Sequence, residues 1–446
     1  MKIQQIQLSD HFTYPRLLRF TGPSMVMMVF TSIYSVVDGF FVSNYVGKTP
    51  FAALNLIYPF IMILGALGFM VGTGGSAIVA RTLGEGRPEQ ASRSFSMLIW
   101  STIAGGLALT LLGLPMLRPI SRWMGAEGEM LEGCVLYGSI LLASLIPFML
   151  QNVFQSFLIT AERPKLGLAV IVAAGITNMV LDYFFVALFR WGLAGAAAAT
   201  AASQAVGGLI PLFYFLRGGN PVLRLLPTRP EPRVLLATFA NGSSELMTNV
   251  SLSLVNILFN FQLMSLAGED GVAAYGVIMY VNFVFLAVFI GYSIGSAPIV
   301  SYHYGAENVE ELRGLLRKSV LLTALAGVAM AALSEVVARP LTAVFVGYDP
   351  ELLELTCRGF QLYAISFLFA GFNIFGSAFF TALGDGLTSA LISFLRTLLF
   401  QVASVLLLPL ALGTDGIWLS VAVAELAALL VTAGLLAVNR SKYQYA

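Results

Sequence analysis

With 58% of its 446 residues apolar and only 11% charged, this chain cannot cover itself with a wet surface; a soluble domain carries about 25% charged residues. A formal net charge of +1 leaves no electrostatic footprint for nucleic acid. Two cysteines, Cys134 and Cys357, are too few for a metal set or a disulfide framework and read as small packing residues.

A crossing helix needs about 20 mostly apolar residues. Lipid offers backbone groups no partner, so spans are helices or a closed barrel. Barrel strands alternate apolar and polar residues over about 10 positions, and runs such as Ile171–Leu188 do not. The fold class is therefore all-α integral membrane. From the start, Met1–Thr13 is partly polar, carries no cleavable signal and reads as a surface helix ahead of the first crossing. Twelve spans follow, at residues 14–40, 52–80, 93–116, 132–159, 165–189, 194–216, 234–264, 272–301, 314–336, 355–382, 387–411 and 416–438. Between the sixth and the seventh, Arg217–Arg233 holds Gly218, Gly219, Pro221, Pro227, Pro230 and Pro232, a composition that resists helix. It divides the chain into an N-terminal lobe (1–216), a linker (217–233) and a C-terminal lobe (234–446).

The halves repeat one another. Ile78-Val79 recurs as Ile299-Val300, 221 residues on. The same offset pairs Ala52-Ala53 with Ala273-Ala274, Gly84 with Gly305 and Asn152 with Asn373. It also pairs Phe154 with Phe375, Thr160-Ala161 with Thr381-Ala382 and Gly195 with Gly416. The register holds through five helices of each half and needs a small gap in the first. Because six spans return each half to its starting side, the two lobes insert in parallel around a central cavity. Of the 24 Lys and Arg, seventeen fall on the side of the N-terminus, six on the other side, and Arg396 lies inside a span. The positive-inside rule then puts both termini in the cytoplasm of a cell-membrane protein.

Ionisable groups inside a span are expensive and usually face a cavity or a partner. Asp38 lies in the first span, and Asp182 in the fifth with Asn178 four residues before it, on one helical face. Glu245, Arg396 and Glu425 lie in the seventh, eleventh and twelfth spans, as candidate cavity charges. Two acids on different helices of one half point to a shared site. Such a site binds and releases H⁺, since low dielectric disfavours the charged carboxylate, or cages Na⁺ with Asn178 and the Thr200 hydroxyl as further oxygen ligands. The alternative for each acid is a packing hydrogen bond to a neighbouring helix, and Arg396 is placed to neutralise one of the acids. Glu335, at a helix end, can snorkel. Pro23, Pro59, Pro147 and Pro298 each kink a helix, and Gly72, Gly74 and Gly75 admit close helix contact. His303, in the polar stretch Ser301–Asn308, and His11 read as solvated. No phosphate loop, Ser/His/Asp grouping or metal spacing is present, so neither an enzyme nor an ATP-driven pump is expected.

Five further pieces occur in order: Val37-Asp38-Gly39-Phe40-Phe41-Val42 running to Val46-Gly47 and Ala52-Ala53-Leu54; Gly72–Gly75 followed by Ala80-Arg81 and Gly84; Thr177–Asp182; Trp191–Ala196; and Gly416-Ile417-Trp418. Together with the two six-helix halves they resemble the multidrug and toxic compound extrusion (MATE) family over nearly the whole chain. The resemblance implies a V-shaped two-lobed antiporter that exchanges H⁺ or Na⁺ for organic, often cationic compounds moving outward. It needs no other cofactor. In the prokaryotic branch that couples through the N-terminal lobe, functional residues match Asp38, Asn178, Asp182 and Thr200, and a helix-bending proline matches Pro23. Another branch adds acids in the seventh and tenth helices. Here Glu245 is in the seventh, but Gln361, Asn373 and Ser377 stand in the tenth, so coupling through the C-terminal lobe is not expected. The expected partners are small organic molecules and the bilayer, the chain acting as a monomer. The runner-up is a lipid-linked oligosaccharide flippase of a related two-lobed type. Its pyrophosphate headgroup calls for several cavity Arg or Lys, and only Arg396 lies well inside a span.

Overall fold

The long apolar runs form helices because a helix meets its own backbone hydrogen bonds, and short polar or glycine breaks end each one. The computed structural model describes residues 6–347 and 349–445, apart from the side chains of Phe40, Ser43, Asn44, Lys48 and Phe51. Lys2, and residues 1–5 of the expected surface helix, lie outside the described residues. Helix α1 is Tyr14–Tyr45, unbroken through Pro23. Helix α2 runs from Lys48–Met70 through a π turn, Val71–Gly75, into Ser76–Gly84. Then come α3 (Pro88–Trp123), α4 (Gly128–Ala143 and Leu145–Thr160), α5 (Pro164–Leu188) and α6 (Gly192–Leu216).

Pro232–Gly305 is 74 residues long and holds two helices, because Gly268 takes φ 63° and ψ −151°. The chain folds back there: Tyr275 stacks on Phe259 and donates a 2.6 Å hydrogen bond to Asn256. We number the two arms α7 (residues 232–267) and α8 (residues 269–305). The rest are α9 (Val309–Val346), α10 (Pro350–Ala364 and Phe367–Ala382), α11 (Gly386–Leu412) and α12 (Thr414–Tyr443). Among the described residues twelve spans result, as expected.

The duplication shows in the breaks. Helix α4 bends by 55° at Ser144 and α10 by 48° at Ile365-Ser366, the same 221-residue offset. The two halves also exchange arms. A Cβ on Gly74 would lie 2.3 Å from the Thr238 carbonyl of α7, and one on its repeat partner Gly295 would lie 3.1 Å from Thr21 of α1. Helix α1 follows α8 to the far end, where the Ser32 hydroxyl donates to the Phe283 carbonyl at 3.2 Å. Where α2 meets α8, Gly84 and Gly305 each face the other's backbone, so near that a Cβ would overlap the Tyr302 or the Arg81 carbonyl oxygen. Only glycine admits that approach.

Both chain ends lie on one side, here the terminal side, where Leu8, Phe12, Tyr443 and Tyr445 share one apolar cluster with the ends of α4, α8, α9 and α10. Here the structure corrects two expectations. Residues 6–13 form a turn and an extended strap, not a helix. Leu8 and Phe12 are plugs buried to 1% and 0% exposure, and the Leu8 N–H donates to Glu162 at 2.8 Å. Glu311 accepts from the Phe12 N–H at 2.9 Å and meets His11 Nδ1 at 2.5 Å, while Lys318 donates to the Phe12 carbonyl at 2.6 Å. His11 is exposed but bonded. His303 is not solvated: it ends α8, is 2% exposed and lies edge-on to Phe12. The strap itself shields it.

Candidate functional site

The first polar cluster is built by α1, α4, α5 and α6. Gly175 of α5 packs against Phe30 and Tyr34 of α1, where a Cβ would approach Phe30 to 2.5 Å. The two helices run parallel, so side chains one and two turns beyond that contact meet again. Those are Asp38 on α1, and Asn178 and Asp182 on α5. Asp38 lies against both. Helix α6 is held to α5 by the Ser203 hydroxyl, which donates to the Ala174 carbonyl at 2.8 Å. That brings Thr200 to the cluster, beside Tyr137 of α4. Immediately after Asp182 the helix loosens into a π turn, Tyr183–Leu188, a feature frequent at functional sites.

Asp182 is 0% exposed and Asn178 2%. Yet both oxygens of Asp182, one of Asp38, the Asn178 amide nitrogen and the Thr200 hydroxyl are buried without a hydrogen bond. Buried polar groups are nearly always paired. Five such atoms from three helices, four of them oxygens, therefore gather in one small polar chamber of side chains whose chemistry suits a proton or a compact cation. No basic side chain shares it: among the described residues, neither Asp38 nor Asp182 has a salt-bridge partner within 4.0 Å. Tyr34, which touches Gln151, and Tyr137 complete the walls. Sequence reasoning misses these two, because 16 tyrosines carry no mark that separates wall from packing.

The second cluster lies in the other half. Arg396 of α11 grips Glu425 of α12, with Nε at 2.8 and 2.9 Å from its two oxygens and the outer guanidinium nitrogen at 2.8 Å. Asn373 of α10 donates to the Glu425 carboxylate at 2.7 Å and to its backbone carbonyl at 2.8 Å. These side chains are 13% and 3% exposed for Arg396 and Glu425. Glu245 joins neither cluster; among the described residues it has no basic partner, and only its backbone carbonyl is used, by Asn249. Pro23 sits two turns inside α1, on the segment that crosses α8 beside Gly295. Glu335 is bonded by Gln361 at 2.8 Å, and Cys134 packs with its thiol on the Ala53 carbonyl.

One family model, MatE, matches residues 23–184 and again residues 246–406, once in each half. The chain belongs to the MatE family. It is a multi-pass membrane transporter and not an enzyme. This MatE chain is 23% identical to the multidrug export protein MepA of Staphylococcus aureus (strain MSSA476) over 425 residues, 94% of this chain and 93% of MepA. With the MepA of Staphylococcus saprophyticus it shares 22% identity over 380 residues, 83% and 84% of the two chains. A crystal structure of MATE in complex with MaL6 superposes with a TM-score of 0.94 at 22% identity, covering 100% of both chains. A transporter of the MOP superfamily from Pyrococcus furiosus gives 0.91 at 22%, covering 100% of this chain and 99% of that one. At such identities the solved structures establish the two-lobed fold of this MatE chain and no more.

Proposed function

We propose that this MatE transporter is a cation-coupled antiporter. It exports organic, cationic amphipathic compounds by alternating access, and the exchanged H⁺ or Na⁺ binds among Asp38, Asn178, Asp182 and Thr200. The observation that carries the reading is the chamber of unpaired buried oxygens in the N-terminal half. Two ionised carboxyls side by side repel, and a proton or Na⁺ between them relieves that repulsion. A ligand shifts two conformations only by its differential affinity for them. The chamber supplies such a difference, because Asp38 rides on α1, which leans on α8 of the other half, while Asp182 belongs to α5. Pro23 frees a carbonyl in α1 and gives that helix a place to bend. Export of many compounds is supported by the two MepA relatives, both named multidrug export proteins. The excess of Lys and Arg on the terminal side supports a cytoplasmic location for both termini, with lobes 1–216 and 234–446 rocking about the 217–233 connector.

The flippase reading has less behind it. A pyrophosphate headgroup calls for several unengaged cavity cations, and Arg396 is already paired with Glu425 through Nε and one terminal nitrogen.

The test is efflux of a fluorescent cationic dye from proteoliposomes under an imposed pH gradient and, separately, a Na⁺ gradient. Dye movement under one gradient, lost in Asp38→Asn and in Asp182→Asn with folded protein still in the membrane, is the expected result and names the ion. Export that survives in both variants refutes the coupling site. No movement under either gradient shifts attention to lipid-linked substrates.

A further inference from the structure

Helices α11 and α12 are the repeat partners of α5 and α6, which carry Asn178, Asp182 and Thr200. At the 221-residue offset, Asn178 corresponds to position 399 and Thr200 to position 421. Arg396 lies three residues before the first and Glu425 four residues after the second. Since α11 and α12 run antiparallel, both displacements shift the pair about one turn toward the terminal side. Each pair also carries a π turn next to its charged residue, though out of register: α5 has one at Tyr183–Leu188, directly after Asp182, and α11 has one at Leu395–Leu399, around Arg396, about nine residues before the offset would put it. So the same two helices, with the same kind of loosened turn, hold a buried acid in each half. Their contents differ in one respect. In the N-terminal half the acids have no positive partner; in the C-terminal half the acid is gripped by a guanidinium and every oxygen of it is satisfied.

We propose that Arg396 is a cation built into the C-terminal half, holding on Glu425 the place that the exchanged ion takes in the N-terminal half. The proposal rests on the N-terminal coupling site described above and adds which residue silences the second copy. The C-terminal half is a former or latent ion site plugged by its own side chain, and a single substitution opens it.

The prediction is that Arg396→Gln leaves Glu425 enclosed and unpaired, with only Asn373 to bond it, so that H⁺ or Na⁺ becomes its ligand. Among the described residues, Tyr363 of α10 faces both Glu425 and Arg396, and Tyr275 of α8 lies next to Tyr363. Both are phenols that stay neutral in ordinary buffers. Thermal unfolding of the purified full chain in detergent reads this without transport. Arg396→Gln is expected to melt lower than the wild type, and to regain several degrees on mild acidification or when Na⁺ replaces choline. Arg396→Gln/Glu425→Gln, which has no acid to fill, is expected to lose that added response. An Arg396→Gln variant whose response to both ions equals the wild type's overturns the proposal.

Should Arg396→Gln not fold, Glu425→Gln serves in proteoliposomes. Its ion-to-dye ratio, read from the reversal potential, is expected to equal the wild-type ratio, and a lowered ratio overturns the proposal. Where Arg396→Gln does fold, its ratio is expected to exceed that of the wild type. A wild type that fails to move dye under either gradient defeats the antiporter reading alone, because the melting comparison needs no transport.

Discussion

A carboxyl enclosed without a partner is among the most expensive groups a folded helix can carry. Asp182, with no exposure, no basic side chain within 4.0 Å among the described residues and only a second acid, Asp38, against it, is such a group. It weakens the fold it sits in. Asp182→Asn exchanges it for a neutral isostere and is expected to leave the melting temperature unchanged or raise it slightly, by up to about 1 kcal/mol of stability. Glu425 is the opposite case. Removing one member of a buried pair costs roughly 3–5 kcal/mol, so Arg396→Met should melt well below the wild type, and Arg396→Met/Glu425→Met should recover most of the loss. Thermal unfolding of the four proteins side by side checks both statements. At the terminal side, burial pushes the Asp385 carboxyl up. Hydrogen bonds from Tyr443 at 2.5 Å, Thr388 at 3.1 Å and Lys442 at 3.3 Å outweigh burial and hold it below its ordinary value of 3.8. A lowered carboxyl supports the fold above its unfolded value and ceases to do so as pH falls through the folded one. The C-terminal end should therefore resist protease at neutral pH and become cleavable below about pH 3.8, and Asp385→Asn should be cleavable already at neutral pH. Charge made the acids of both clusters legible in the sequence, since a carboxyl within an apolar run stands out. Two acids in one half already pointed to a shared site for Asp38 and Asp182, but which acid Arg396 meets, Glu425, emerges only through the packing of helices.

Gly175 sets the contact from which the N-terminal chamber is measured. A larger side chain there must push α1 off α5, because Phe30 and Tyr34 leave no room. Gly175→Leu is expected to cost about 1–3 kcal/mol as overpacking and to impair ion coupling more than dye binding, a split that dye titration against gradient-driven efflux would reveal. Helices as elements were the most legible level. Long apolar runs, short breaks and a constant offset made all twelve spans and their duplication readable, even where Gly268 hides the boundary of α7 and α8 inside one 74-residue helix. The terminal side was less so. Met1–Thr13 mixes polar residues with a few apolar ones, a pattern that suits a surface helix, while its two plugs, Leu8 and Phe12, acquire meaning only from the hollow they fill. His303 was misread for the same reason: polar neighbours in sequence suggested water, but the strap lies over it in space. The π turns in α5 and α11 leave no mark in composition, and the glycines of the one in α2, Gly72, Gly74 and Gly75, read as close helix contact instead.

For the molecule as a whole, the exchange of arms decides how it can move. Helix α1 leans on α8 and α7 on α2, so parting the halves on the terminal side must break the contacts of Gly295 with Thr21 and of Gly74 with Thr238. With Cys134 and Cys357 replaced, Thr21→Cys/Gly295→Cys starts with its Cβ atoms 3.1 Å apart, so the helices need ease by only a few tenths of an ångström to reach the roughly 3.5–4.5 Å of a disulfide. Oxidation is expected to arrest dye efflux and reductant to restore it; efflux that continues in the cross-linked protein contradicts rocking about this crossing. The same arrangement bears on how the chain is made. Thr21 leaves the ribosome long before Gly295. At about 5–20 residues per second, the inner face of α1 waits some tens of seconds for the helix it will rest on. Thr21 spends that interval bonded within its own helix, its hydroxyl on the Leu17 carbonyl at 2.9 Å. Ser24 has no such bond and is still unpaired in the finished fold. While Phe30 and Tyr34 can settle early on α5, that other face of the first helix is a guest in the bilayer until the eighth arrives, and its assembly depends on how long lipid and the insertion machinery will shelter it.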